Sequence, residues 1–216
     1  LTVSNIDIVR LCHARNLASN RAARHAPFWV EAMPPPAPVE QHRAQSPPAS
    51  SIRIALVTAS DSRTPATNEG GRLLRRLVEE AGFAVVDEAL LAEEPDALRD
   101  RVAAIARAAS ADVVLVSGGT GIAPRDRTPE AIGALFEQRL PGFGELFRML
   151  SFREIGAAAM LSRADAGVVA GVLVFLLPGS PAAVTLAVRS LIAPELPHAV
   201  GQLRRGKQDQ QEGKPA

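Results

Sequence analysis

The chain has 216 residues, is 47% hydrophobic and carries a formal net charge of +1, which allows one cored domain with tails. From Ser51 to Glu195 there are 15 Arg against 18 acids, a balance of −3, while residues 1–50 and the stretch from Leu196 each carry +2. The basic excess lies outside the core, which argues against a nucleic-acid-binding domain. Aromatic residues are 4% of the chain, so Ala, Val and Leu must fill the core. Cys12 is the only cysteine; no intrachain disulfide can form, which fits a reducing, cytoplasmic setting. The longest apolar stretch, Ala166 to Leu177, is too short for the ~20 residues of a membrane helix.

Residues 1–32 are rich in Arg and poor in acids, as in a transit peptide. Alternatively they are translated upstream sequence, with Met33 the true start. Pro34 to Pro48 reads as an extended linker. Ile52–Thr58 is a predicted strand, followed by a polar loop to Glu69. Gly71–Ala81 has helical spacing at Leu73, Leu74, Leu77 and Val78. Ala84–Leu90 is a strand, Pro95–Ala109 a helix with Leu98, Val102 and Ile105 on one face, and Asp112–Val116 a third strand. Helices are expected at Thr128–Gln138, Gly144–Phe152 and Ser180–Ile192, and late strands at Gly167–Ala170 and Val172–Leu177. This alternation predicts an α/β fold, a three-layer α/β/α domain with a mostly parallel sheet and an antiparallel edge. The expected division is an N-terminal extension over 1–50, the domain over 51–200, and a polar disordered tail over 201–216.

Absences narrow the chemistry. Ser51 to Glu195 contains no His, Cys, Lys or Tyr. That excludes, within the core, a Ser-His-Asp triad, a cysteine nucleophile, a His/Cys zinc site, a lysine Schiff base and a Walker-A lysine. Carboxylates, Arg, hydroxyls and backbone N–H groups remain. These suit phosphoryl or nucleotidyl transfer, in which positioning and a carboxylate-held Mg²⁺ carry the catalysis.

The most specific stretch runs from Val113 to Glu130. It reads as a buried strand, a turn Ser117-Gly118-Gly119-Thr120-Gly121, a charged loop Pro124-Arg125-Asp126-Arg127, and a helix start with Thr128 as N-cap and Pro129 at the first position. Glycines let a ligand approach the backbone N–H groups, and Asp126 stands beside them between two arginines that would favour its ionised form. Pro178-Gly179-Ser180-Pro181 repeats the strand–turn–capped-helix pattern. Ser60, Asp61 and Ser62 follow the first strand, and Glu93 and Glu94 the second. Ordinary capping and solvated-loop roles compete at each of these places. The apolar run Phe143, Leu146, Phe147, Met149, Leu150, Phe152 and Ile155 reads as core, with part of it open to a subunit interface.

The Val113–Glu130 stretch, with Gly142 to Phe152, Leu161-Ser162-Arg163 and Pro178-Gly179-Ser180, resembles the molybdopterin-binding family of molybdenum cofactor biosynthesis. That family includes protein B, the Mog-type adenylyltransferases and the first domain of gephyrin. The resemblance runs from about Ile52 to Glu195, and the segment after Gly142 looks most like the protein B branch. It implies that molybdopterin is bound by Ser60, Asp61, Ser117, Gly118, Gly119, Thr120, Gly121, Thr128, Ser162, Pro178, Gly179 and Ser180. It further implies adenylylation with ATP and Mg²⁺, in which Asp126 is catalytic and holds the metal. Glu93 or Glu94 supplies a second acid, and the protein assembles as a homotrimer or homohexamer. Where the family has an Asp-containing turn, this chain reads Asn68-Glu69-Gly70-Gly71. The rival reading is a non-catalytic molybdopterin-binding or carrier protein.

Overall fold

The computed structural model describes Arg43 and residues 46–211. The expectations for residues 1–42, including a start at Met33, lie outside the described residues. Six strands form one sheet in the order β2-β1-β3-β6-β5-β4. Strands β1 (Arg53–Ala59), β2 (Ala84–Leu91), β3 (Val113–Ser117) and β6 (Val172–Leu177) run parallel. Strand β5 (Asp165–Val169) pairs antiparallel to β6, and the two-residue β4 (Gln138–Arg139) antiparallel to β5. The predicted three-layer architecture with a mostly parallel sheet is the observed one.

Side-chain alternation divides the core. Ile54, Leu56, Val113, Leu115, Leu173 and Phe175 face one layer. It is made by α1 (Glu69–Glu80), α4 (Pro141–Ile155), α5 (Pro181–Ala187) and α6 (Ala193–Gln211). Ala55, Val57, Val114, Val116, Val174 and Leu176 face the other, where α2 (Pro95–Arg107) and α3 (Thr128–Gly133) pack. Every residue of β3 is buried, as a strand covered on both faces requires.

Local chemistry sets the element ends. Asn68 caps α1 by accepting the Gly71 N–H at 3.0 Å, and Pro95 opens α2 at a position that needs no N–H. The β5–β6 hairpin turns through Ala170 and Gly171, both at positive φ, the pairing a two-residue turn of matching twist needs. A π-helical turn over Val188–Ile192 precedes α6, which carries Pro197 inside it.

Two predicted boundaries are corrected. The helix expected over Thr128–Gln138 stops at Gly133, because Gln138 and Arg139 pair with Val168 and Gly167 as β4. The tail expected to be disordered from residue 201 instead continues α6 to Gln211; residues 212–216 lie outside the described residues. Leu196, Val200 and Leu203 fall at helical spacing and pack on the core. Arg204 donates to the Ser51 carbonyl at 3.1 Å and pairs with Asp112 at 3.2 Å. Asp112 also accepts the Arg53 amide at 2.9 Å. Burial pushes its carboxyl up, and the hydrogen bonds from Arg53 together with nearby Arg204 hold it below its ordinary value.

A chain ending at residue 200 is therefore expected to unfold at lower urea than one ending at residue 206. The Leu203 packing and the Arg204 contacts are together worth about 2 kcal/mol, with the ion pair discounted for its exposure. Coincident denaturation midpoints would show that the last turns of α6 contribute nothing.

Candidate functional site

The register places the carboxyl ends of the parallel strands in one row. Thr58 pairs with Leu90 and with Ser117, and Ser117 with Leu177. From β1 the chain leaves through α1 toward β2, and from β3 it leaves in the opposite direction toward β6. Loops that diverge in this way open a crevice at the β1/β3 switch point. Loops 60–68, 92–94, 118–127 and 178–180 all leave from this rim.

The glycine turn is pressed into that crevice. Gly118 has φ +111° and donates its N–H to the Leu177 carbonyl at 2.9 Å. A Cβ there would strike the Ala59 carbonyl oxygen, and the Cα lies 3.3 Å from where a Cβ on Gly179 would stand. Gly119 has φ +62°, and its missing Cβ would occupy the place of the Thr128 hydroxyl. The Gly119 carbonyl accepts the Thr128 N–H at 3.1 Å, so the turn closes on the start of α3.

Thr128 is not the cap that the sequence predicts. Arg127 holds the cap position, and Thr128 is the first helical residue. Its Oγ1 and the Oγ of Ser117 are buried with no hydrogen-bond partner among the described residues. Buried hydroxyls in this state are costly, and these two flank the glycine turn.

Asp126 sits at the end of the following loop. Its Oδ2 accepts the Ala123 N–H at 2.8 Å, and its own N–H donates to the Ala123 carbonyl at 2.9 Å. Of the arginines expected to flank Asp126, Arg125 turns instead to Asp61 at 2.6 Å and Glu94 at 3.1 Å, because two acids on neighbouring loops present themselves to its planar fork. Asp61 also accepts the Glu93 N–H at 2.9 Å, and this bond, with Arg125, holds its carboxyl below the ordinary range. Three loops are thereby tied across the rim.

The structure separates the two candidate glutamates. Glu94 is exposed and paired with Arg125. Glu93 is half-buried, and burial, then the charges of Asp61 and Asp126, push its carboxyl above the ordinary value. Glu93 is thus the acid that senses Asp126. No three His, Cys, Asp or Glu side chains among the described residues form a metal cage.

The remaining predicted residues are placed unevenly. Ser60 and Asp61 lie on the rim, and the Ser60 N–H donates to the Leu91 carbonyl at 2.8 Å. Pro178, Gly179 and Ser180 form the β6 turn, where the Ser180 Oγ accepts the Ala183 N–H at 3.3 Å and so caps α5. Ser162 precedes Arg163 at the edge of the motif and lines a cavity of about 460 Å³ with Pro129, Gly144, Arg148 and Met160. A second cavity of about 460 Å³ lies beside the motif, lined by Ile122, Ala123, Asp126, Arg127, Glu130 and Arg163. A larger one, about 720 Å³, sits at the opposite end of the sheet around Ala170 and Gly171, away from every motif residue. Sequence reasoning missed Arg63, which donates to the Gly179 carbonyl at 3.3 Å. It also left the partners of Arg163 unidentified: the Gly121 and Asp126 carbonyls and Glu130.

Residues 55–198 match the family described as a probable molybdopterin binding domain. The chain belongs to this molybdopterin-binding family. It is 46% identical over 170 residues to molybdenum cofactor biosynthesis protein B of Bacillus subtilis, covering 78% of this chain and 99% of the relative. A crystal structure of a molybdenum cofactor biosynthesis protein B superposes with a TM-score of 0.71 at 44% identity, covering 74% of this chain and 99% of that one. The molybdopterin biosynthesis enzyme MoaB of Thermus thermophilus superposes at TM-score 0.62 and 34% identity, covering 70% of this chain and 96% of that one. The chain is a homologue of molybdenum cofactor biosynthesis protein B with a molybdopterin-binding domain. The match covers the β1, β3 and β6 turns that build the crevice.

Glu93 provides a check on this geometry. Its folded pKa lies above its unfolded value, so its ionisation opposes folding. Stability is lost as pH rises from the ordinary glutamate range through the folded value. Glu93→Gln is expected to raise the urea midpoint at neutral pH, and Asp126→Asn to lower the Glu93 pKa in a carboxyl-carbon NMR titration. A Glu93 titration indifferent to Asp126 would separate the two carboxylates.

Proposed function

We propose that this chain adenylylates molybdopterin with Mg-ATP. The observation that carries the reading is the pairing of two unpartnered, buried hydroxyls, Ser117 and Thr128, with a glycine turn on one rim, beside Asp126 and Glu93. The turn offers backbone N–H groups and hydroxyls to phosphate oxygens, and the Ser180 turn closes the crevice from β6. An oxygen of the molybdopterin phosphate bonds to the α-phosphorus of ATP while the bond from that phosphorus to the bridging oxygen breaks. Pyrophosphate leaves with the electron pair. The phosphate nucleophile is already anionic, so no strong base is required, and the residues act by orienting the two phosphates. Magnesium, when bound, supplies neutralisation of phosphate charge; Asp126, with Glu93, would hold it, in keeping with the one or two carboxylates plus substrate phosphates that Mg²⁺ takes. A single cysteine outside the core suits a cytoplasmic setting.

The carrier reading has its own support: the Asp126 carboxylate already braces its loop through Ala123, a role that needs no chemistry. Asp126→Asn keeps an oxygen for that bond and removes only the charge. Adenylylation should fall by roughly 10²-fold or more, about 2.7 kcal/mol of transition-state stabilisation, with molybdopterin affinity little changed. Full turnover in the variant removes Asp126 from the reaction. Tight binding without turnover in the unmutated chain establishes the carrier.

We also propose that the chain assembles as a homotrimer or homohexamer. The apolar run on α4 divides in two: Phe143 and Phe147 are buried, whereas Phe152 and Ile155 are 60% and 58% exposed, and Met160 in the following 3-10 turn is 76% exposed. Large apolar side chains left exposed along one segment in this way mark an interface. Phe152→Asp is expected to reduce the mass measured by light scattering to that of a monomer, with unfolding unchanged; an unaltered mass places the interface elsewhere.

A further inference from the structure

The loop that carries Asp126 is held from outside by one side chain. Arg163 follows the 3-10 turn Gly156–Leu161 and lies 37 residues beyond Asp126 in sequence. Its Nε donates to the Gly121 carbonyl at 2.7 Å, one terminal nitrogen donates to the Asp126 carbonyl, and the other pairs with Glu130. Its backbone N–H donates to the Thr120 carbonyl at 3.0 Å. A single guanidinium therefore grips both ends of the Gly121–Asp126 segment and the first turn of α3. The other braces are weaker. The Ala123–Asp126 pair is internal to the loop, and Arg125, 61% exposed, binds exposed acids in high dielectric. The Arg163 side chain is 32% exposed, half as much. Its bonds run in three directions from a rigid plane, which a lysine ammonium on a flexible stem does not reproduce.

We propose that Arg163 is the positioning residue for Asp126, fixing its carboxylate relative to the glycine turn while acting on the reaction only through that loop. This rests on the proposed adenylylation. An error of about 1 Å in such a placement costs on the order of 10²-fold in rate, so the loop needs an external clamp that the Asp126–Ala123 pair does not supply.

The test uses the full chain with Arg163→Ala and Arg163→Lys. Without ligand, amide exchange at Ala123, Asp126 and Thr128 should accelerate in both variants, while the amides of β1 and β3 keep their protection. In adenylylation assays, kcat should fall about 10²-fold, with KM for molybdopterin within about threefold, because the glycine turn and its hydroxyls remain. Sub-denaturing guanidinium ion should restore part of kcat to Arg163→Ala and none to Arg163→Lys, whose ammonium fills the space. If Arg163→Ala fails to fold, Arg163→Lys carries the exchange and kinetic readings alone. Unchanged exchange at Ala123 and Asp126 overturns the inference whether or not the chain is an enzyme. So does a loss that lies wholly in KM. Accelerated loop exchange in a chain whose unmutated form never adenylylates leaves the clamp in place and sinks the proposed reaction.

Discussion

Three backbones meet at Gly118, and the crevice depends on that meeting. The Gly118 N–H reaches the Leu177 carbonyl, its α-carbon touches the Ala59 side of the crevice, and the Gly179 turn rests against it. No side chain fits at that point, and the positive φ is one that glycine alone adopts freely. Because β1, β3 and β6 are locked in register by parallel pairing, the three turns have no freedom to separate. What looks like a flexible glycine loop in sequence is a close-packed, buried junction between three strand ends.

The cations around this junction are all arginines. Arg63 binds the Gly179 carbonyl, Arg125 joins Asp61 to Glu94, and Arg163 joins three groups on the Asp126 loop. A core without lysine follows naturally from this use. Planar guanidinium groups with several fixed donors tie loop to loop, whereas an ammonium contributes chiefly a point charge. The net negative charge from Ser51 to Glu195 is consistent with the same division: arginines are engaged as braces, and at the rim burial, then the charges of Asp61 and Asp126, raise the Glu93 pKa.

How much of this was legible depended on range. Strands β1, β3 and β6 announced themselves as β-branched and Leu runs, and helices α1 and α2 as apolar residues at helical spacing, because those signals are local. The two-residue β4 is too short for any period, so its residues read as the end of the preceding helix. In α6 the buried Leu196 and Val200 and the partly buried Leu203 are separated by polar residues and by Pro197, and composition outweighs spacing. The glycine turn was readable because positive φ selects a residue type. A hydroxyl before Pro129 fits a cap, but Thr128 is buried because the chain folds it back onto Gly119 across the intervening loop, a contact that local sequence does not signal. The Arg163 contacts were unreadable, since two of its partners are backbone carbonyls that no sequence distinguishes.

The two ends of the sheet are chemically opposite. At the amino ends of β1 and β3, Asp112 is saturated by Arg53 and Arg204, and its ionised form favours the fold. At the carboxyl ends the same sheet carries a glutamate whose ionisation opposes folding and two buried hydroxyls without partners among the described residues. Each is a cost that the fold carries at this rim. The braced end and the layers packed on both faces hold the rim in this unfavourable arrangement.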